Sequence, residues 1–221
     1  MKQPYIPFLL PNKSLIDLEK LFNKVVEANK QIAIYDEKMK NSKIRSSLLL
    51  DFFSLREAVE STRIEGTQVT MHDMLEHRAE EKKENNDIRE VANYYDALVF
   101  VERRLETMPL SGRIIREAHK ILMSGEVRGK GTIIPGEFRT SQNFLGPKGA
   151  TRENATYVPP EPQLVQDYIT NLEKYINDET ETNDLIKIAV IHAQFETIHP
   201  FSDGNGRVGR ILIPLYLYNK G

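Results

Sequence analysis

One glycine- and proline-rich segment, residues 125–162, interrupts a chain whose other apolar residues recur at helical spacing. Six of the twelve glycines and five of the eleven prolines lie in it. Both residues interrupt helices, because glycine leaves the backbone unrestricted and proline lacks the N–H donor. We therefore expect helices on both sides and, within the segment, an irregular β-hairpin or flap at about residues 136–158. Long insertions of this kind in compact domains are usually functional.

The pattern outside this segment predicts an all-α fold, or nearly so, with the hairpin as its only β-structure. Residues 1–11 contain three prolines among apolar residues, which is typical of an extended, docked arm. The predicted helices run from a cap at Asn12 or Ser14 to about residue 40, then over about 42–63, 70–77, 87–105, 111–122, 162–177 and 184–197.

The second predicted helix combines an apolar stripe with a stop signal. Leu48, Phe52, Leu55 and Val59 repeat at four, three and four residues, which predicts a buried face. Gly66 then suits the left-handed position that follows a helix C-terminus.

Composition limits the possible functions. The chain has 221 residues, a net charge of −2, no cysteine, and prolines where a signal peptide needs a continuous apolar run. These values predict a cytoplasmic protein without disulfides, thiolate metal sites, membrane spans or a general affinity for nucleic acid.

Residues 199–210, H-P-F-S-D-G-N-G-R-V-G-R, contain the chemistry. A Gly-Asn-Gly turn that enters a helix directs free backbone N–H groups towards one point, which makes an anion site. Arg207 and Arg210 are three residues apart and share a helix face. Asp203 is a hard oxygen ligand suited to Mg²⁺, and His199 is a base that works near neutral pH. Together they predict a site for transferring a group from a Mg²⁺-bound nucleotide.

The same stretch resembles the signature of the Fic family, H-x-F-x-(D/E)-G-N-G-R-x-x-R, at every specified position. The resemblance implies a Fic-type helical bundle and a protein adenylyltransferase, which transfers AMP from ATP to a Ser, Thr or Tyr hydroxyl of a target protein, itself included. It implies that His199 is the catalytic base and that the flap holds the target by strand addition. Phosphate chemistry then predicts that Asp203 holds Mg²⁺ and that Gly204, Asn205, Gly206, Arg207 and Arg210 bind the phosphates.

Ser61 to Gly66 resembles a second pattern of the family, (S/T)-x-x-x-E-(G/N), which marks an inhibitory helix that precedes the catalytic core. The resemblance implies that Glu65, with Ser61, pairs with Arg210 where the γ-phosphate would bind. Residues 1–80 would then be the inhibitory part and residues 81–221 the catalytic core.

Several alternatives stay open at this point. The same fold could move another nucleotide or a phosphate group, could remove AMP, or could sense nucleotide without catalysis. His192, His199 and Asp203 could form a metal centre, whereas His72, His77 and His119 have no role that the sequence indicates. A homodimer also stays open. Similar proteins continue beyond the equivalent of Gly221, sometimes into a nucleic-acid-binding domain, so we expect that the chain is truncated and that residues over the adenine are missing.

Overall fold

A computed structural model describes residues 2–80, 83–125, 133–147, 149–180 and 183–220, and these residues form a helical bundle without an extended sheet. The all-α prediction is therefore confirmed. None of the helices in the described residues is long and apolar enough to cross a membrane. The helices are α1 (Leu18–Lys40), α2 (Ser46–Ile64), α3 (Met71–Arg78), α4 (Asn86–Leu105), α5 (Gly112–Leu122), α6 (Val165–Asn177), α7 (Asp184–Ile198) and α8 (Asn205–Lys220).

Side-chain caps set several of the helix starts. The Thr70 hydroxyl accepts from the N–H of Asp73, whose carboxylate accepts from the Thr70 N–H, and the pair closes the first turn of α3. Ser111 caps α5, as predicted. The predicted start of the first helix is wrong, because Asn12 precedes only a 3-10 turn and makes no capping bond there. Asp17 caps α1 instead.

The core surrounds α4, which packs against α2, α5 and α8, while α7 lies between α6 and α8. The inward face of α4 is apolar apart from the phenol of Tyr94, Asn93 and Glu90. Large buried side chains from five helices fill this centre, namely Leu55, Tyr94, Ile114, Ile115, Phe195 and Tyr216. The arrangement brings the C-terminal end of α2 and the N-terminal end of α8 together over α4.

The two N-terminal helices contribute unequally to this core. All residues of α1 are described and none is buried. In the stripe predicted for α2, Leu55 and Val59 are buried, but Leu48 and Phe52 are 54% and 44% exposed. Half of the predicted buried stripe is therefore wrong, because periodicity defines a face and does not show whether another element covers it.

The flap is less regular than a hairpin of strands. Residues 126–132 and 148 of the predicted irregular segment lie outside the described residues. Among the described ones the flap has a single antiparallel bridge, between Leu145 and Tyr157, rather than two strands. The predicted N-terminal arm is confirmed, because the Tyr5 N–H donates to the carbonyl of Val158 and the Leu10 backbone pairs with the Asn171 side chain.

Candidate active site

His199 ends α7 in a left-handed backbone conformation, with φ 50° and ψ 61°. Its N–H donates to the carbonyl of Phe195. A residue with a Cβ adopts this conformation at a cost of about 1–2 kcal/mol, and such residues concentrate at functional sites. The turn directs residues 199–204 (hereafter the catalytic loop) away from the axis of α7.

Arg139 of the flap binds the backbone of this turn. Its side chain is buried, and Nε donates to the carbonyl of His199 at 2.8 Å. The other guanidinium nitrogens donate to the carbonyls of Pro160 and Ser141, and the Arg139 N–H donates to Pro200. Arg139 therefore ties the start of the catalytic loop to the flap, which fixes the strained conformation at His199.

Burial lowers the pKa of His199 to about 4, and the positive charge of Arg139 acts in the same direction. Desolvation disfavours the imidazolium, so the ring is neutral at pH 7 and can accept a proton.

His119 of α5 joins the flap to the catalytic loop. Its ring stacks on Phe201 with centroids 3.8 Å apart and planes 3° apart. Nδ1 accepts from the N–H of Gly136, so Nε2 bears the proton and donates to the carbonyl of Asp203 at 3.1 Å. Burial lowers the pKa of His119 to about 4, which keeps this neutral tautomer.

The Asn205 side chain has a structural task at the start of α8. Its Oδ1 accepts from the Phe201 N–H and its Nδ2 donates to the Phe201 carbonyl, both at 2.8 Å. The same carbonyl accepts from Asn143 of the flap. These bonds make the side chain a brace that closes the loop, and its predicted part in phosphate binding stays a prediction.

Asp203 and Gly204 form the turn that leads into α8. One carboxylate oxygen of Asp203 accepts from the Gly204 N–H at 2.6 Å, and the side chain is 39% exposed. Gly204 has φ +76°, and a Cβ there would lie 2.9 Å from the Met123 sulfur. Glycine is thus required for both the conformation and the close approach.

Arg207 is a buried cation with unused donors. Its Nη1 lies 3.6 Å from a carboxylate oxygen of Glu90, and both side chains are at most 4% exposed. Nη2 lies 3.8 Å from Asp203, while Nε and Nη1 have no hydrogen-bond partner among the described residues. Unsatisfied donors on a buried charge are costly, and an anion that reached them would remove that cost.

Arg210 is held by the end of α2. Its Nε donates to the Ser61 hydroxyl at 2.7 Å, and its Nη2 lies 2.5 Å from a carboxylate oxygen of Glu65. Gly206 makes room for this pair, because a Cβ there would lie 2.9 Å from both Arg210 Nη1 and Glu65 Oε1. We call Ser61, Glu65 and Arg210 the inhibitory contact, after the role that the sequence predicts for them.

The remaining histidines take no part in the site. Nδ1 of His192 bonds to the carbonyl of Gly209, which ties α7 to α8, and His72 pairs with Glu76. No group of three His, Asp or Glu side chains within the described ranges is arranged to hold a metal ion. The alternative metal centre of His192, His199 and Asp203 is therefore not what this geometry forms.

Sequence reasoning missed the roles of His119 and Arg139. His119 had a detectable signal, because it falls on the inward face of α5 beside Ile115 and Leu122. A polar residue on an apolar face needs a partner. Arg139 follows Gly136 in the flap, and nothing in the sequence indicates that it is buried.

Known families match most of the chain. The model of the Fic/DOC family matches residues 109–217, and the model of the Fic/DOC family N-terminal region matches residues 22–101. The chain belongs to the Fic/DOC family. The first match contains the catalytic loop and Arg210, and the second contains Ser61 and Glu65.

Relatives with assigned names agree with this membership. The chain is 31% identical over 173 residues to the probable protein adenylyltransferase aq_aa38 of Aquifex aeolicus, an alignment that covers 78% of this chain and 50% of the relative. It is 33% identical over 88 residues to protein adenylyltransferase fic-1 of Caenorhabditis elegans, covering 39% and 16%. The chain thus spans half or less of the length of these curated relatives.

Solved structures share the fold. A Fic domain containing signaling protein from Bacteroides thetaiotaomicron superposes with a TM-score of 0.70 at 22% identity, covering 86% of this chain and 72% of that one. Fic-1 of C. elegans superposes with a TM-score of 0.64 at 20% identity, covering 96% and 64%. At these identities the likeness shows the fold alone.

Proposed function

We propose that this chain transfers AMP from ATP to a hydroxyl group of a protein, with release of pyrophosphate, and that Glu65 restrains the reaction. The named relatives are protein adenylyltransferases, which supports the reaction class. The site residues 199–210, and the division into an inhibitory part (1–80) and a catalytic core (81–221), belong to the same proposal. So does action in the cytoplasm.

The buried guanidinium of Arg207 is the observation that carries this proposal. Its Nε and Nη1 have no hydrogen-bond partner among the described residues, and it lies in the first turn of α8. A helix N-terminus adds a partial positive charge and free N–H groups at the same place. This donor set matches the phosphates of a nucleotide, which supply the acceptors that the protein lacks.

His199 would act as the base. In this mechanism the target hydroxyl gives its proton to the neutral imidazole as its oxygen attacks the α-phosphate. The bond between the α-phosphorus and the oxygen that bridges it to the β-phosphate breaks, and pyrophosphate leaves with the electron pair of that bond. A neutral ring, fixed by Arg139 through the carbonyl next to it, suits this task.

Asp203 fits the requirements of a Mg²⁺ ligand. Its carboxylate stands at the mouth of the anion site and is 39% exposed, with one oxygen engaged by the Gly204 N–H. Mg²⁺ usually binds one or two carboxylates together with substrate phosphates, and would here offset the charge of the departing pyrophosphate.

Glu65 would inhibit by occupying Arg210. The guanidinium cannot donate fully to both a carboxylate and a γ-phosphate, and Glu65 repels the incoming anion. ATP could still bind with its phosphates displaced, and a displacement of about 1 Å can lower the rate on the order of a hundredfold.

The test is mass spectrometry of the protein after incubation with ATP and Mg²⁺. For Glu65→Gly we expect an AMP adduct that forms about ten- to a hundredfold faster than in the parent chain. Glu60→Ala is the control, because Glu60 lies on α2 five residues before Glu65 and, among the described residues, forms an ion pair with exposed Arg63. The control should behave as the parent.

Each other outcome contradicts one part of the proposal. An added phosphate instead of AMP would indicate phosphate transfer. No adduct on Glu65→Gly, at any nucleoside triphosphate, would favour a nucleotide-sensing module. Equal rates for Glu65→Gly and the parent would remove Glu65 from the inhibitory role while leaving the transferase intact.

A further inference from the structure

The peptide group that joins Asp203 to Gly204 is held at both of its polar ends. Its carbonyl oxygen, that of Asp203, accepts from Nε2 of His119 at 3.1 Å. Its N–H, that of Gly204, donates to Oδ1 of the Asp203 carboxylate at 2.6 Å. Because hydrogen bonds are directional, the orientation of this one peptide determines where the Asp203 carboxylate points.

Gly204 leaves this peptide with little restraint of its own. Its φ of +76° lies in a region that glycine enters freely, since it has no Cβ to limit rotation. The imidazole of His119 packs directly against this glycine, because a Cβ there would lie 3.3 Å from Nε2. His119 therefore restrains, by packing and by a hydrogen bond, a peptide that glycine leaves free to rotate.

The imidazole of His119 is itself fixed in place. It is 1% exposed, and its Nδ1 accepts from the N–H of Gly136 in the flap at 2.9 Å. A neutral imidazole has one donor and one acceptor nitrogen, so Nε2 is the donor. The proton directed at the Asp203 carbonyl is therefore present while the ring carries no charge.

The contacts of the Asp203 carboxylate differ between its two oxygens. Oδ1 accepts from the Gly204 N–H and is also the atom that lies 3.8 Å from Nη2 of Arg207. Among the described residues both of these contacts are made by Oδ1, which leaves Oδ2 for a ligand. One or two carboxylates together with substrate phosphates are what Mg²⁺ usually binds.

We propose that His119 is a positioning residue for the metal-bound nucleotide, whose Nε2–H fixes the Asp203 peptide and so directs Oδ2 of that carboxylate towards Mg²⁺. The inference rests on the proposed function, because it needs ATP bound with Mg²⁺ at the catalytic loop. His119 acts through the backbone of Asp203 and is not itself a ligand.

Two amide substitutions separate the two hydrogen bonds of the imidazole. The short amide of His119→Asn places its oxygen near the position of Nδ1 and keeps the acceptor for Gly136, but it has no donor at the position of Nε2. The longer amide of His119→Gln places an N–H near Nε2 and keeps the donor to Asp203, but it loses the acceptor. Both remove the ring and its stacking on Phe201, so each variant is the control for the other.

Binding is measured without turnover. Both variants are made in a Glu65→Gly, His199→Ala background, in which Glu65 no longer occupies Arg210 and the proposed base is absent. Calorimetry then gives the Kd of ATP for the background and for each variant, once with Mg²⁺ and once with EDTA.

For His119→Asn, the Kd of ATP with Mg²⁺ should rise about two- to tenfold, the range expected for one hydrogen bond, and the Kd in EDTA should not change. His119→Gln should keep the Kd of the background under both conditions. A second readout is the Mg²⁺ concentration that gives half-maximal AMP incorporation in Glu65→Gly chains that retain His199. It should rise by a similar factor for His119→Asn and stay unchanged for His119→Gln.

The inference is overturned if His119→Asn binds ATP as the background does, or if both variants weaken binding equally. It is also overturned if His119→Asn weakens binding by the same factor in EDTA, which is what general damage to the fold produces. These outcomes leave AMP transfer by Glu65→Gly in place, so they are distinct from failure of the proposed function. Absence of any AMP adduct on Glu65→Gly would overturn both.

Discussion

The catalytic loop and the inhibitory contact are both organised by an arginine, but the two arginines differ in what they bind. Arg139 is 3% exposed, and its side chain bonds to the main-chain carbonyls of His199 and Pro160. Arg210 is 19% exposed at its side chain and bonds to Glu65, which is 40% exposed. A buried cation on fixed carbonyls holds one geometry, whereas a partly exposed pair between side chains can exchange partners. The catalytic loop is therefore the fixed part of the site, and the inhibitory contact is the part whose bonds can change.

The largest effect should be on the rate of AMP incorporation, when His199 in the catalytic loop is replaced. His199→Ala in a Glu65→Gly background should lower AMP incorporation about 10²–10⁴-fold, because the proposed reaction then lacks its general base. ATP affinity, measured by calorimetry, should change little, since the phosphate donors lie on α8. His72→Ala, an exposed position, is the control. Transfer that persisted in His199→Ala would show that the loop geometry serves something other than base catalysis.

The next effect concerns stability and tests whether Arg139 makes the catalytic loop rigid. Lysine has one donor centre and cannot reach the several carbonyls that the guanidinium reaches. Arg139→Lys should lower the free energy of unfolding by about 3 kcal/mol, roughly the cost of one or two buried carbonyls left unpaired. Urea unfolding measures this. Arg113→Lys, 70% exposed, should change the free energy by less than about 0.5 kcal/mol. A small loss for Arg139→Lys would mean that the loop is no more fixed than the inhibitory contact.

The smallest effect is a pH dependence of the free energy of unfolding that comes from His199 in the catalytic loop. The folded pKa of His199, about 4, is lower than the value of about 6.5 for an unfolded chain. Protonation therefore favours the unfolded state, and stability is retained above pH 6.5 and lost as pH falls from there towards 4. Between pH 7 and pH 5 this group should remove about 2 kcal/mol, which His199→Ala should recover. Urea unfolding of the two proteins at both pH values checks it. An identical pH dependence would place the imidazole in solvent.

The sequence predicted what local patterns determine. The caps at Thr70 and Ser111, the positive φ of Gly66 and the entry of residues 204–206 into a helix all follow from residues close in sequence. Membership of the family, and with it the pairing of Glu65 and Arg210, followed from two short motifs. These features depend on spacing within one or two turns.

What the sequence could not predict depends on tertiary placement. Leu48 and Phe52 have the spacing of a buried face, yet no other described element covers them. The motif did not indicate that the Asn205 side chain braces Phe201 or that Gly206 gives space to the inhibitory contact. Each of these outcomes depends on which side chains meet, or fail to meet, in the folded chain, which periodicity does not contain.

Gly209 has a consequence for how members of the family can vary. The family signature leaves this position unspecified, but here a Cβ would lie 2.2 Å from a carboxylate oxygen of Glu196 and 3.2 Å from the Phe195 ring. Glu196 is half-buried and next to the helix turn that carries Arg210. A homologous chain with a larger residue at this position therefore needs a shorter or reoriented one opposite it on α7. The two positions are expected to co-evolve as a pair.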